Sequence, residues 1–353
     1  MLDHHFSALH EGNGYSGGVL PLGPEYTLND DHELSLAGAA HGPQGIPSAP
    51  QYSAYSPPSA GPASTLVGSS KGLEINLIWD SSVRTSANWQ AEEAAVISAA
   101  QIFAGAFANH AVINIAVGYG EVNGARLGSN ALGESESNGY LVNYATAVSA
   151  LGSADAGLIS SGAMSSGALS ALQNLHGESF FLTSGEAKAL GLVNATSGNV
   201  DGYIGLNNSA LMFFPGSGGA IRSTQYDAVG VAAHEISEVL GRMGMEGQTL
   251  GGHANVYTAL DIFRYSAPHT PDTTPTAGYF STNNGVTNQE LFNNPGNGGD
   301  AADWASASFN TTNAFDAFDN PGVMTNVTGT DLLAVASLGY QFAAGYNLTT
   351  VPA

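Results

Sequence analysis

The chain contains no cysteine, so disulfides and thiolate metal ligands are excluded, and any metal must be held by histidine and carboxylate. Basic residues are scarce: seven Lys and Arg stand against 29 Asp and Glu, a formal charge of −22. That surplus repels phosphates and anionic lipid, which argues against nucleic-acid partners and membrane insertion and makes divalent cations the natural counter-charge. Long hydrophobic runs are missing too. The longest apolar stretch, Ala94 to Val117, is interrupted by Ser98, Gln101, Asn109, His110 and Asn114, and is a poor membrane span. The opening Met1-Leu-Asp-His-His-Phe-Ser7 lacks the basic start and apolar core of a secretory leader, so export is expected by a signal-less route or with a leader already removed. A composition poor in lysine and rich in Gly, Asn, Ser and Thr suits a secreted, extracellular bacterial protein, by association rather than mechanism.

Residues 1–70 are rich in Gly, Pro, Ser and His, with Pro43, Pro47, Pro50, Pro57, Pro58 and Pro62 breaking regular structure, and read as an arm, pro-segment or linker. His4, His5, His10, His32 and His41 fall here, with mixed spacing that suits solvated coil better than a metal site. From residue 71 to 345 a folded domain is expected. Alternation predicts a strand at Leu73–Trp79, helical spacing predicts a helix over Trp89–Asn109, and Ala111–Gly118 reads as a second strand. Helices are expected around Asp155 and at Ala168–Leu175, with a short turn of helix at Glu186–Leu190. Asp201–Asn208 and Ala210–Phe214 read as paired strands. Residues 245–320 are polar and rich in turn signals, a loop-rich insertion, and a final helix is predicted at Thr330–Leu338 with Thr330 as N-cap and Asp331 on the helix dipole. The fold class is α/β (α+β).

Chemistry concentrates in Asp227-Ala-Val-Gly-Val-Ala-Ala-His234-Glu235-Ile-Ser-Glu238-Val-Leu-Gly241-Arg242. On a helix His234 and Glu238, four apart, share a face and can reach one metal, with Glu235 beside them as a general base. This is the His-Glu-x-x-His arrangement with glutamate in the last place; zinc accepts either donor, while the added carboxylate makes bound water less acidic and moves the preference toward calcium or manganese. The plain alternative is a surface ion pair between Glu238 and Arg242, also four apart. Against it, Val229, Ala232, Ala233, Ile236, Val239 and Leu240 cover much of the helix, and buried charges need partners or metals. Asn283, Asn284, Asp300, Asp303, Asp316 and Asp319 offer oxygen donors suited to a structural calcium, without EF-hand spacing.

Taken in order along the chain, the motif helix, Glu186–Leu192, Asp201–Leu206, Leu260–Tyr265, and Gly322-Val-Met324 followed by Asp331–Tyr340 resemble the metzincin-like zinc metalloproteases, and more closely their secreted bacterial relatives. The resemblance implies a twisted mixed sheet with an active-site helix and a C-terminal helix, a zinc ion, Glu235 as general base, and Met324 as a supporting Met-turn. It departs from the family at Glu238 and at Gly244, where a third ligand is usual. The third ligand is therefore sought at Asp261 or His253. The expected function is a secreted zinc endopeptidase acting on proteins or peptides, and the alternative is a catalytically degenerate scaffold for adhesion, surface coating or self-assembly.

Overall fold

The computed structural model describes residues 22, 25–29, 34–36 and 63–346, apart from 129, 171–178, 210, 217–218, 251, 275, 277 and 306–311. The five histidines of the arm, and residues 171–175 of the helix expected at Ala168–Leu175, lie outside this set.

From the arm come β1 (Glu25–Asn29) and β2 (Leu34–Leu36). Then follow β3 (Ser64–Gly68), β4 (Glu74–Trp79), α1 (Ser81–Arg84), α2 (Trp89–Ala106) and β5 (Val112–Tyr119). A small hairpin, β6 (Glu121–Val122) and β7 (Ala125–Arg126), leads into β8 (Gly133–Asn143), α3 (Tyr144–Ala154) and α4 (Ala156–Ser161). The chain continues through β9 (Ser179–Thr183), α5 (Ser184–Ala189), β10 (Gly202–Leu206), β11 (Met212–Phe213) and β12 (Tyr226–Asp227) into α6 (Ala228–Val239). Beyond it lie β13 (Gln248–Leu250), β14 (His253–Thr258), β15 (Arg264–Ala267), β16 (Thr270–Pro271), β17 (Tyr279–Phe280), β18 (Glu290–Leu291) and α7 (Gly329–Ala336).

The result is a mixed α/β architecture around one large mixed sheet, in the order β13-β14-β9-β8-β10-β5-β4-β3, with β1 added to β8 and β2 to β1. β4, β5 and β10 run parallel, and β8 lies antiparallel to β10. The expected strand, helix, strand unit is present because its periodicities are clean. Ile75, Leu77 and Trp79 of β4 point inward at every second residue, and Val96, Ala99, Ala100, Phe103 and Ala106 bury one face of α2. That face packs on α6. Truncating Phe103, which is fully buried, to Ala would cost about 3–5 kcal/mol. Among the described residues no helix is long and apolar enough to cross a membrane.

Three expectations change. The strands read as partners at 201–208 and 210–214 are not paired with each other: β10 sits between β5 and β8, while β11 pairs with β12. Short strands of similar pattern carry no information about partner choice. The C-terminal helix is capped by Thr328, not Thr330, because Asp331 stands three residues after Thr328 and closes a capping box with it. The 245–320 region contributes β13 and β14 to the main sheet and folds β15–β18 into a four-stranded sheet of its own.

Asp155, at the junction of α3 and α4, is 1% exposed, and neither of its carboxylate oxygens has a hydrogen-bond partner. Burial raises its pKa from 3.8 to about 8. The folded state therefore holds a proton there that the unfolded chain releases near pH 4. This stabilisation is complete below that pH and is lost as pH rises toward 8, with a slope of up to about 1.4 kcal/mol per pH unit. Thermal melts of Asp155→Asn between pH 5 and 8 should show a flatter dependence than wild type; an unchanged slope would remove Asp155 as its source.

Candidate metal centre

Asp227 caps α6, accepting from the Val229 amide at 3.1 Å, and its other oxygen accepts from the Thr325 amide at 3.1 Å. The other end of α6 decides the site. Gly241 has φ +113°, the Gly241 amide bonds to the Glu238 carbonyl, and the Arg242 amide bonds to the Ser237 carbonyl, which is the Schellman pattern of a left-handed helix terminus. This turn sends Arg242 back along the helix and out of solvent. A residue with a Cβ could not hold this φ cheaply.

His234, Glu238 and Asp303 come together, with one donor atom from each lying within 4.8 Å of the others. His234 Nε2 is 3.3 Å from Glu238 Oε1 and 3.2 Å from Asp303 Oδ1. His234 Nδ1 lies 2.9 Å from the Ala314 carbonyl, so Nδ1 donates to it and Nε2 faces the carboxylates. Two donors about 2.1 Å from a tetrahedral ion stand about 3.4 Å apart, so these separations fit zinc. Glu238 Oε2 accepts from Ser135 Oγ at 2.7 Å, which orients the carboxylate. Asp303 is fixed by its neighbours: the Asn293 amide bonds its carbonyl, the Trp304 amide bonds Phe315, and Trp304 Nε1 donates to Asp331 Oδ1 at 2.6 Å.

Arg242 completes the cluster and is fully buried. Its Nη2 is 3.2 Å from Glu238 Oε1, its Nη1 is 2.6 Å from Asp303 Oδ1, its Nε donates to Ser237 Oγ at 2.7 Å, and its guanidinium lies 4.5 Å over the Phe315 ring. The Glu238–Arg242 pair proposed from sequence as a surface contact is thus real but interior, and it coexists with the His234–Glu238 geometry instead of replacing it. Burial alone would lower the His234 pKa, but the Asp303 charge and the hydrogen bonds that the imidazole donates to Asp303 and Glu238 outweigh it and the repulsion of Arg242, leaving it well above its ordinary value. For Asp303 burial pulls upward, and the charges of His234 and Arg242 win, holding it low.

The cluster lines a cleft of ≈ 530 Å³ that also receives Glu235, Asp300, Asp316 and Asp319, with Leu132 and Gly133 at the start of β8. Glu235 is buried, and a Cβ on Gly133 would overlap its Oε1, so glycine there makes room for the carboxylate. Burial raises Asp300 to about 7, helped by the charges of Asp303 and Glu238, and burial likewise raises Asp319 to about 7.

Three residues singled out from sequence lie apart from the cluster. Asp261 does not join the cluster: its Oδ2 accepts from the amides of Met245 (3.2 Å), Glu246 (3.1 Å) and Thr258 (2.8 Å), so it holds the turn after α6. His253 is exposed at the start of β14, opposite Leu250. Met324 is 44% exposed and lines a different cavity, of ≈ 770 Å³, beside Val229, Gly230 and Ala233 on another face of α6. The support beneath His234 comes from Ala314 and Phe315, whose ring meets the imidazole edge-on at 6.4 Å. The larger cavity is lined by none of the three clustered residues.

Of the oxygen donors noted from sequence, Asp300, Asp303, Asp316 and Asp319 converge on this cleft. Asn283 and Asn284 are used in turns, Asn283 Oδ1 accepting from the Thr287 amide at 2.8 Å and Asn284 adopting φ +60°. Sequence reasoning did not bring Asp303 to His234 and Glu238; its presence in that group of acids is the one available signal. No family model, no curated protein and no solved structure matches this chain.

Proposed function

We propose that the chain is a secreted zinc-dependent endopeptidase of metzincin-like type. The observation that carries this reading is one imidazole and two carboxylates at metal-ligand separations, beside the buried Glu235, in a single cleft. His234, Glu238 and Asp303 would hold the ion, which when bound supplies polarisation of the scissile carbonyl and a more acidic water. Glu235 accepts the water proton and returns it to the leaving amine. Ser135 and the Ala314 carbonyl keep two of the donors oriented. An extended peptide is the substrate that suits β8: its first residue lines the cleft, and over Glu136–Tyr140 the same strand already accepts β1 as an added antiparallel strand.

A second reading is favoured by Arg242, whose contacts with both carboxylates balance charge within the protein. In that case the chain is a scaffold without catalysis, serving adhesion or surface assembly. Elemental analysis after metal-replete expression, with peptide digestion in the presence and absence of chelator, separates the two. The expected result is about one zinc per chain and chelator-sensitive cleavage. Folded protein with no transition metal would sink the peptidase reading, and calcium without cleavage would leave Asp300, Asp316 and Asp319 as a structural cation site.

A further inference from the structure

We infer that Arg242 is a positioning residue that stands in for the ion, keeping the two carboxylates assembled without it and weakening the grip on it when it binds; this rests on the metal-centre reading above. The atoms argue for it directly. Glu238 Oε1 and Asp303 Oδ1, the oxygens facing His234 Nε2, are the same oxygens that Arg242 contacts, at 3.2 and 2.6 Å. Two like charges held this close repel, and a buried cation between them relieves the repulsion. The substitution of glutamate for the usual second histidine adds one negative charge, and Arg242 restores one positive charge at the helix terminus four residues on. Its position is over-determined by the Gly241 turn, Ser237, the Ala302 carbonyl at 3.3 Å and the Phe315 ring, so it remains in place with or without an ion.

The role has two signatures of opposite sign. Removing the charge leaves the ion-free protein less stable, because Glu238 and Asp303 lose their counter-charge. It also makes the same carboxylates better ligands for a divalent cation. Wild type, Arg242→Met and Arg242→Lys are melted in chelator and in saturating zinc, and zinc affinity is measured by competition with a chromophoric chelator. Arg242→Met should melt lower than wild type in chelator, gain more from zinc, and bind zinc at least about tenfold more tightly. Arg242→Lys, which keeps the charge, should remain close to wild type in the zinc-induced gain. Should Arg242→Met not fold, Arg242→Gln, which keeps hydrogen-bond donors and loses the charge, carries the same test. Equal losses of melting temperature with and without zinc, at unchanged affinity, would make Arg242 a structural residue only. Weaker zinc binding would also overturn the inference. A wild-type protein that takes up no zinc marks the failure of the metal centre itself, a result separate from either of these.

Discussion

On the proposed peptidase reading, Glu235→Gln should retain zinc and a melting temperature close to wild type while losing peptidase activity by about 10²-fold or more, the usual scale for removing a general base. The expectation rests on place as well as type. Glu235 lies next to His234 on α6, yet its Oε1 lies against Gly133, which also lines the cleft, and it is not one of the three converging donors. Glutamine keeps the shape against Gly133 while removing the proton acceptor and one of the negative charges that act on Arg242, so a loss of turnover far larger than any change in stability is the signature. Zinc content, melting temperature and cleavage of a peptide mixture are measured on the same preparation. Activity within twofold of wild type would take Glu235 out of the mechanism.

The largest effect on stability and metal together is expected from Asp303→Ala. The substitution removes one donor and deprives the buried Arg242 of its shortest ion pair, at 2.6 Å. Breaking one partner of a buried pair costs about 3–5 kcal/mol because the remaining charge is left uncompensated. Zinc affinity should fall by at least about 100-fold, since loss of a donor exceeds the 10–100-fold seen for loss of a supporting residue. Urea denaturation in chelator reads the first effect and chelator competition the second. Asp261→Ala is the informative contrast: it should destabilise the turn after α6, whose amides it satisfies, and leave zinc affinity near wild type. The reverse pattern, with zinc lost from Asp261→Ala and kept by Asp303→Ala, would displace Asp303 from the site.

Several elements were legible because their signal is local. β4 alternates, α2 repeats at helical spacing, and α6 carries a start signal at Asp227 and a stop at Gly241. β8 was not legible, though it is the strand beside the cleft. Its sequence, Gly-Glu-Ser-Glu-Ser-Asn-Gly-Tyr-Leu-Val-Asn, is polar over its first half, and it is buried there because α6 covers Ser135 and Ser137. Small polar residues are what such a close helix permits, and no hydrophobic period announces them.

By itself the sequence determined the negative surface, the absence of thiol chemistry, and the placing of His234 and Glu238 on one helical face, since the four-residue repeat of a helix requires no tertiary information. Only the tertiary structure decided the rest. It brought Asp303, and not Asp261 or His253, to His234 and Glu238, because Asp303 arrives on a segment held by Trp304 and Phe315, whose packing no spacing rule encodes. It put Phe315, not Met324, beneath the imidazole. It also turned a surface ion pair into a buried one: the Gly241 turn folds Arg242 against the very oxygens that face His234, and the meaning of a charge depends on what surrounds it.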